Sequence, residues 1–546
     1  MRSLTTAALR LALWLPGALL AGAIARLAAP APVSAQETEP RETEPRELVA
    51  AYAPKKLTLD PVHIYTTMES ELATALYEGL AGYHPLTLQP VPGVAADWEV
   101  SRDKTVYRFR LREEALYSNG DPVRAQDFRD SWMRAIDPAT QAEYSFLFDV
   151  IKGARAYRNG QKGEVGIRVI SDSLLEVELE KPAGHFLKLL CHMAFAPVHP
   201  SYFGKKGWDA GERLIGNGPF FLAGRSPQEL RLEKNRLYWD AKNVELDAVR
   251  IRFMDDPAEV SREFNAGRVH WATDWDSEAL ADRSKIVFHP LFATSYFYFV
   301  CAEKPCSDPR VRRALALLLP WPEIRTEDTL FPTTRLIPAI PGYPELEGIG
   351  APDEAQALKL LAEAGHPDGA GLPSMSIKVP EGEESQRIAA LMAGTWKQKL
   401  GLEVAIAPFA YDDYLLEVKK LDYTLGTVTW IGDYPDPLTF LQMWIEGSNL
   451  NDARFADQDF DRLIDESLGE EDPQRYQTLG KAESLLLSGA VVLPISHAPA
   501  FALIDLDRVE GWFPNVLNIH PFRYLRFQTE RVPPGVALGG AAVAPF

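Results

Sequence analysis

Residues 423 to 437 read Tyr-Thr-Leu-Gly-Thr-Val-Thr-Trp-Ile-Gly-Asp-Tyr-Pro-Asp-Pro. The run from Tyr423 to Val428 is apolar and β-branched, as a strand requires, and it gives way to a Gly/Pro-rich turn holding Trp430, Asp433 and Asp436. Three readings of that turn are open. Asp433 and Asp436 can act as the acid/base pair of a secreted glycosidase, in which carboxyl separation sets the stereochemical outcome. They can be a helix N-cap and a turn former. Or one buried carboxylate beside an indole face can hold an ammonium ion, by charge and by cation–π attraction.

The segment sits among helix and strand signals in alternation. Ala357, Leu360, Leu361 and Ala364 share one helix face and stop at Gly365; Ile388, Leu391, Met392, Thr395 and Trp396 do the same before Gly401. Leu402, Val404 and Ile406 then alternate as a strand, making a helix-to-strand unit of α/β type. Further helices are expected over 413–420, 457–468 and 473–487. The first half is strand-rich: Tyr107, Phe109 and Leu111, then Leu175, Val177 and Leu179, then Val249, Ile251 and Phe253 each alternate with charged residues.

Over the whole chain of 546 residues, 46% are hydrophobic and 24% charged, enough to bury a large core across several domain-sized units. Lys plus Arg number 57 against 76 Asp plus Glu, a net charge of −19 that repels phosphate backbones, so no nucleic-acid partner is expected. Arg2 and Arg10 precede an uncharged run from Leu11 to Ala25, and Val33-Ser34-Ala35 follows. That order is a secretory signal peptide cleaved before Gln36; the run contains Pro16 and falls short of the ~20 apolar residues of a spanning helix. No Cys follows the small residues, so a lipid-anchored form is not indicated and a soluble periplasmic chain is expected. Residues 36–47, with ETEPR twice, are expected to be a disordered linker, and 532–546 a flexible tail. Cys191, Cys301 and Cys306 are the three cysteines; Cys301 and Cys306 either form a local bridge or stay as buried thiols. HExxH, GxSxG, GxxxxGK[ST] and GxGxxG motifs are lacking, and the ten His are scattered, so neither a catalytic motif, a cofactor nor a metal site is indicated.

Read with its surroundings, the 430–437 segment resembles the periplasmic oligopeptide-binding and dipeptide-binding proteins, the extracellular solute-binding family 5 of ABC importers. The resemblance runs in order from about Leu57 to Phe527. It includes Leu59-Asp60-Pro61, Leu76-Tyr77-Glu78-Gly79-Leu80, Ala95-Ala96-Asp97-Trp98 and Tyr107 to Arg112. It continues through Tyr117-Ser118-Asn119-Gly120-Asp121-Pro122-Val123, Asp127-Phe128 and Ser131-Trp132. Gly216-Asn217-Gly218-Pro219-Phe220, Asn235-Arg236-Leu237-Tyr238-Trp239, Asp308 to Leu315 and Asp433 to Pro437 complete it.

The resemblance implies an α/β, two-lobed periplasmic-binding-protein fold of type II, hinged, with an extra domain inserted in the first half. Lobe I would comprise 48–78, 200–292 and 503–531, the extra domain 79–199 and lobe II 293–502. It implies a monomeric, non-enzymatic receptor that binds a peptide between its lobes and delivers it to an inner-membrane ABC permease. Asp433 would hold the ligand's α-ammonium, Thr429 and Ile431 would bond its main chain as an added strand, and Trp430, Tyr434, Thr67, Tyr144 and Tyr411 would line the cleft. Thr427 stands where some peptide-binding relatives carry an Arg; Lys419, Lys420 and Arg387 are the candidate substitutes for holding a ligand carboxylate. Family members that bind dipeptides, sugars or nickel complexes keep those solutes open as alternatives.

Overall fold

The computed structural model describes residues 46–326 and 331–528. The signal peptide, most of the expected linker and the expected tail lie outside the described residues. A ten-stranded mixed sheet runs through the molecule. From one edge its strands are Val404–Phe409, Met375–Pro380, Leu425–Ile431, Ile286–Phe299, Val492–Ile504, Trp271–Ala272, Glu47–Tyr52, Ala248–Phe253, Glu229–Lys234 and Phe220–Arg225. Glu47, assigned to the linker from sequence, is thus the first residue of a strand that pairs in parallel with Ala248–Phe253.

Two of these strands are unusually long and lie side by side in the middle. Ile286–Phe299 pairs antiparallel with Val492–Ile504 in two stretches, Ile286 to Pro290 against Leu503 to Pro499 and Thr294 to Tyr298 against His497 to Val492. The register shifts between Pro290 and Thr294. Pro lacks the ladder N–H, and such an irregularity bends and twists a strand locally. On one side of the break the sheet backs onto a core with Leu72, Leu76, Phe220, Leu232 and Ile251; on the other, onto one with Val311, Leu315, Ile377, Met392 and Trp396. The break falls between these two cores.

A second, four-stranded antiparallel sheet, Ala95–Val100, Val106–Leu111, Leu174–Glu178 and Ile167–Ser171, carries Phe109, Leu175 and Val177 into a third core with Phe128 and Trp132. The alternation read from the sequence is the physical one here: Tyr107, Phe109 and Leu111 are buried while Arg108 and Arg110 are exposed. Helices occupy Glu354–Glu363, Glu383–Leu400, Tyr411–Glu417, Gln458–Leu468 and Gln474–Ser488, close to expectation. Gly401 ends the second at φ 64°, a left-handed cap that costs a glycine little. The strand expected to stop at Val428 continues to Ile431, so Trp430 belongs to the strand and not to the turn. Cys301 and Cys306 are free thiols. Among the described residues no helix is long and apolar enough to cross a membrane.

Two of the quoted segments meet across 139 residues of chain. Asn217 accepts from the Glu78 N–H (3.1 Å) and donates to its C=O (2.8 Å), replacing a strand partner for that buried backbone. Gly216 and Gly218 bring their backbones so close to Leu76 that a Cβ on Gly216 would stand 2.0 Å from the Leu76 carbonyl oxygen. Backbone cannot swing aside as a side chain can. Gly216→Ala is therefore expected to destabilise the protein by about 1–3 kcal/mol, read as a lowered midpoint in thermal or denaturant unfolding.

Candidate functional site

The strand Leu425–Ile431 is paired along one side only. Its residues from Leu425 to Ile431 all oppose Phe299 to Ala293, but on the other side Met375–Pro380 pairs with it at Leu425 alone. Strand residues alternate in the direction of their main-chain groups. The Gly432 N–H reaches back to Phe292 on the paired side, whereas the Thr427 N–H and C=O both meet the Tyr414 hydroxyl (2.8 and 2.6 Å), on the open side. Thr429 and Ile431, two and four residues further on, therefore present their N–H and C=O groups along that open edge.

The strand runs into a turn that is fixed from below. Asp436 is buried and takes two hydrogen bonds from the buried Arg475 guanidinium (2.6 and 2.9 Å), and its carboxylate also caps Leu438 N–H (3.0 Å). Burial raises its pKa, but the Arg475 charge outweighs that and holds it below the usual carboxylate range. Asp436 is thus more than the turn former expected from sequence, and it is not available as half of a glycosidase pair. Lys188 and Tyr83 brace the turn from the four-stranded-sheet side by donating to the Pro435 and Asp433 carbonyls (both 3.1 Å).

Asp433, three residues earlier, has the opposite environment. Its side chain is 9% exposed and its only near basic neighbour among the described residues is His192, with Nε2 at 3.8 Å. Burial lowers the His192 pKa to about 4, so the imidazole is neutral and supplies no counter-charge. Burial pushes the Asp433 carboxyl up to about 7, against hydrogen bonds from the Thr439 and Tyr144 hydroxyls that favour its charged form. Tyr65 closes the group, its ring 6.5 Å from both Tyr144 and Trp430. A carboxylate out of water without a cation is costly.

The structure thus brings Asp433, Trp430 and Tyr144 together beside the open edge at Thr429 and Ile431. Trp430 is itself mostly buried, its indole N–H donating to Thr439 C=O (3.1 Å), so it walls the site. Thr67 opens the helix that follows Tyr65, and Tyr411 is exposed at the start of its own helix, within electrostatic reach of Tyr65. Tyr434 does not join them: its ring is wholly buried, parallel to His185 at 6.1 Å, so packing replaces the cleft-lining role expected for it. Sequence reasoning missed Tyr65, His192, Thr439 and Tyr414. Thr439 alone left a local trace, at the start of a helix six residues after Asp433. Of the three cations singled out, Lys420 pairs with Glu417 and Arg387 with Glu384, while Lys419 pairs with Asp452 (2.8 Å) at a cavity beside the site. Among the described residues no group of three His, Cys, Asp or Glu is placed to hold a metal ion.

A site built at the seam of two α/β bodies that share long strands is the arrangement of a two-lobed binding protein. The profile of the bacterial extracellular solute-binding proteins, family 5 Middle, matches residues 89–452, and the chain belongs to that family. It is 28% identical over 433 residues to the oligopeptide-binding protein OppA of Bacillus subtilis, covering 74% of this chain and 79% of that one. The structure of the Escherichia coli murein tripeptide binding protein MppA matches with a TM-score of 0.80 at 26% identity, covering 89% of this chain and 99% of that chain. Against the unliganded open form of MppA, at the same identity, with 89% and 98% covered, the TM-score is 0.62. Lys104–Glu471 (2.5 Å), Lys181–Asp465 (2.6 Å) and Lys56 N–H to Asp412 (2.8 Å) join the first half of the chain to the second in this arrangement.

Because Arg475 is buried with its charge answered chiefly by Asp436, removing that carboxylate leaves the cation only the half-exposed Asp472 at 3.7 Å. Asp436→Asn is expected to cost about 3–5 kcal/mol of unfolding free energy, measured by chemical denaturation.

Proposed function

We propose that this protein is the exported solute receptor of an ABC importer, that its ligand is a peptide with a free N-terminus, and that Asp433 binds the α-ammonium group. The observation that carries the reading is the buried carboxylate without a cation at the end of an open strand edge: it offers charge to an ammonium and main-chain partners to the residues that follow. Tyr144 orients the carboxylate through its hydroxyl, and Tyr65, Trp430 and neutral His192 keep water from it. A sugar would leave the Asp433 charge unanswered. The relatives named for oligopeptides and for a murein tripeptide support the same class. The site performs no chemistry in this reading; it captures a ligand between lobes 48–78, 200–292 and 503–531 on one side and 293–502 on the other, with 79–199 as the extra domain, and hands it to a permease. The Arg2 to Ala35 segment directs export to the periplasm.

Truncating one partner of a buried charge pair costs about 2–5 kcal/mol, or roughly thirty-fold to several thousand-fold in affinity. Asp433→Asn and N-acetylation of the peptide should each impose a loss in that range. Together they should cost far less than the sum, because either one already removes the pair. Calorimetry on the two proteins with the two peptides decides it, and strictly additive losses would refute the pairing.

The raised Asp433 pKa adds a pH signature with a definite sign. The free site is protonated below about 7 and must lose that proton to accept an ammonium ion. Affinity is therefore expected to fall by about tenfold for each unit of pH below 7, and to level off above it until the ligand amine itself deprotonates near ~8. Asp433→Asn should flatten the acid limb.

A further inference from the structure

Beside the strand edge lies a cavity of about 240 Å³. Its walls include Tyr296, Tyr298, Val428, Met443, Trp444 and Leu450. Tyr65 also lines it, and the other polar side chains that reach it are already engaged. Tyr298 hydroxyl meets that of Tyr423 (2.9 Å), Tyr296 hydroxyl meets Met443 sulfur (3.9 Å), Tyr414 hydroxyl is held by Thr427, Asp452 pairs with Lys419 and Glu143 with His63 (2.9 Å). An apolar cavity of roughly 150 Å³ already admits benzene. This one has room for an aromatic side chain and offers it no unpaired charge.

Strand register says which side chain. A peptide whose ammonium is at Asp433 runs antiparallel to Leu425–Ile431, with its first residue opposite Ile431, its second opposite Trp430 and its third opposite Thr429. Directly opposed residues share a face of the sheet. The first and third therefore point to the face of Ile431 and Thr429, where Thr429 is exposed. The second points to the face of Trp430 and Val428, which is also the face of Tyr296 and Tyr298, since Val428 opposes Tyr296 and Gly426 opposes Tyr298. That is the face on which the cavity opens. Tyr414 then ends the ladder: its hydroxyl fills the next outward main-chain groups, those of Thr427, so pairing stops after the third ligand residue.

We infer that the ligand is a peptide read over three residues with a bulky apolar, preferably aromatic, second residue, Tyr414 setting the length and the Val428–Tyr296 cavity setting the side chain. The inference rests on the ammonium reading of Asp433, which fixes the register.

The test is calorimetry of the full chain with the free-amine tripeptides Ala-Phe-Ala, Ala-Leu-Ala, Ala-Ala-Ala, Ala-Lys-Ala and Ala-Glu-Ala, and with Ala-Phe-Ala-Ala-Ala. Burying a Phe side chain predicts roughly ten- to hundred-fold tighter binding of Ala-Phe-Ala than of Ala-Ala-Ala, with Leu between and Lys and Glu weakest. Val428→Phe, which fills the cavity, should bring the Phe-to-Ala ratio close to one. Tyr414→Phe keeps the ring but frees Thr427, so Ala-Phe-Ala-Ala-Ala should gain over Ala-Phe-Ala in that variant and not in the wild type. Peptides that bind and lose affinity on N-acetylation, yet show no Phe advantage or favour Lys equally, overturn the inference while leaving the Asp433 reading standing. Insensitivity to acetylation overturns both.

Discussion

The buried ion pair between Asp436 and Arg475 holds the rest of the site in place. Both oxygens of one carboxylate meet both terminal nitrogens of one guanidinium, a planar match that leaves the turn little freedom to rotate. That rigidity matters because the neighbouring carboxylate, Asp433, is buried with only a neutral imidazole as its near basic neighbour among the described residues. A mobile turn would let it swing out to water. Tyr83 and Lys188 grip the same turn by its carbonyls, and Thr439 donates its hydroxyl to Asp433 while accepting from the Asp433 N–H, so the carboxylate is fixed in place.

Two aspartates three residues apart thus do opposite work. Asp436 meets its cation inside the protein, and Asp433 is buried beside a neutral imidazole. The difference lies wholly in what faces them: a guanidinium on the helix Gln474–Ser488 in one case, and a neutral imidazole, two phenol rings and an indole in the other.

The sheet supplies the other half of the design. The two long strands serve both bodies, and their ladder is interrupted between Pro290 and Thr294. The open edge at Thr429 and Ile431 lies on the strand next to that break.

The sequence alone determined the elements whose signal is local. Alternation marked the four-stranded sheet, i, i+3, i+4 spacing marked the helices ending at Gly365 and Gly401, and ordered short motifs marked the family. These signals are carried by near neighbours in the chain, through backbone periodicity and turn chemistry. Only the tertiary structure decided the rest. That Tyr434 is packing while Tyr65 walls the site, that Asp436 answers Arg475 rather than acting beside Asp433, and that Tyr414 stops the open edge are all consequences of contacts between distant segments. So is the cavity, assembled from the strands at 296 and 428 and the segments near 418 and 450. Burial and the identity of a facing charge set a carboxyl group's pKa and a ring's role, and neither is a property of the residue or of its neighbours in sequence.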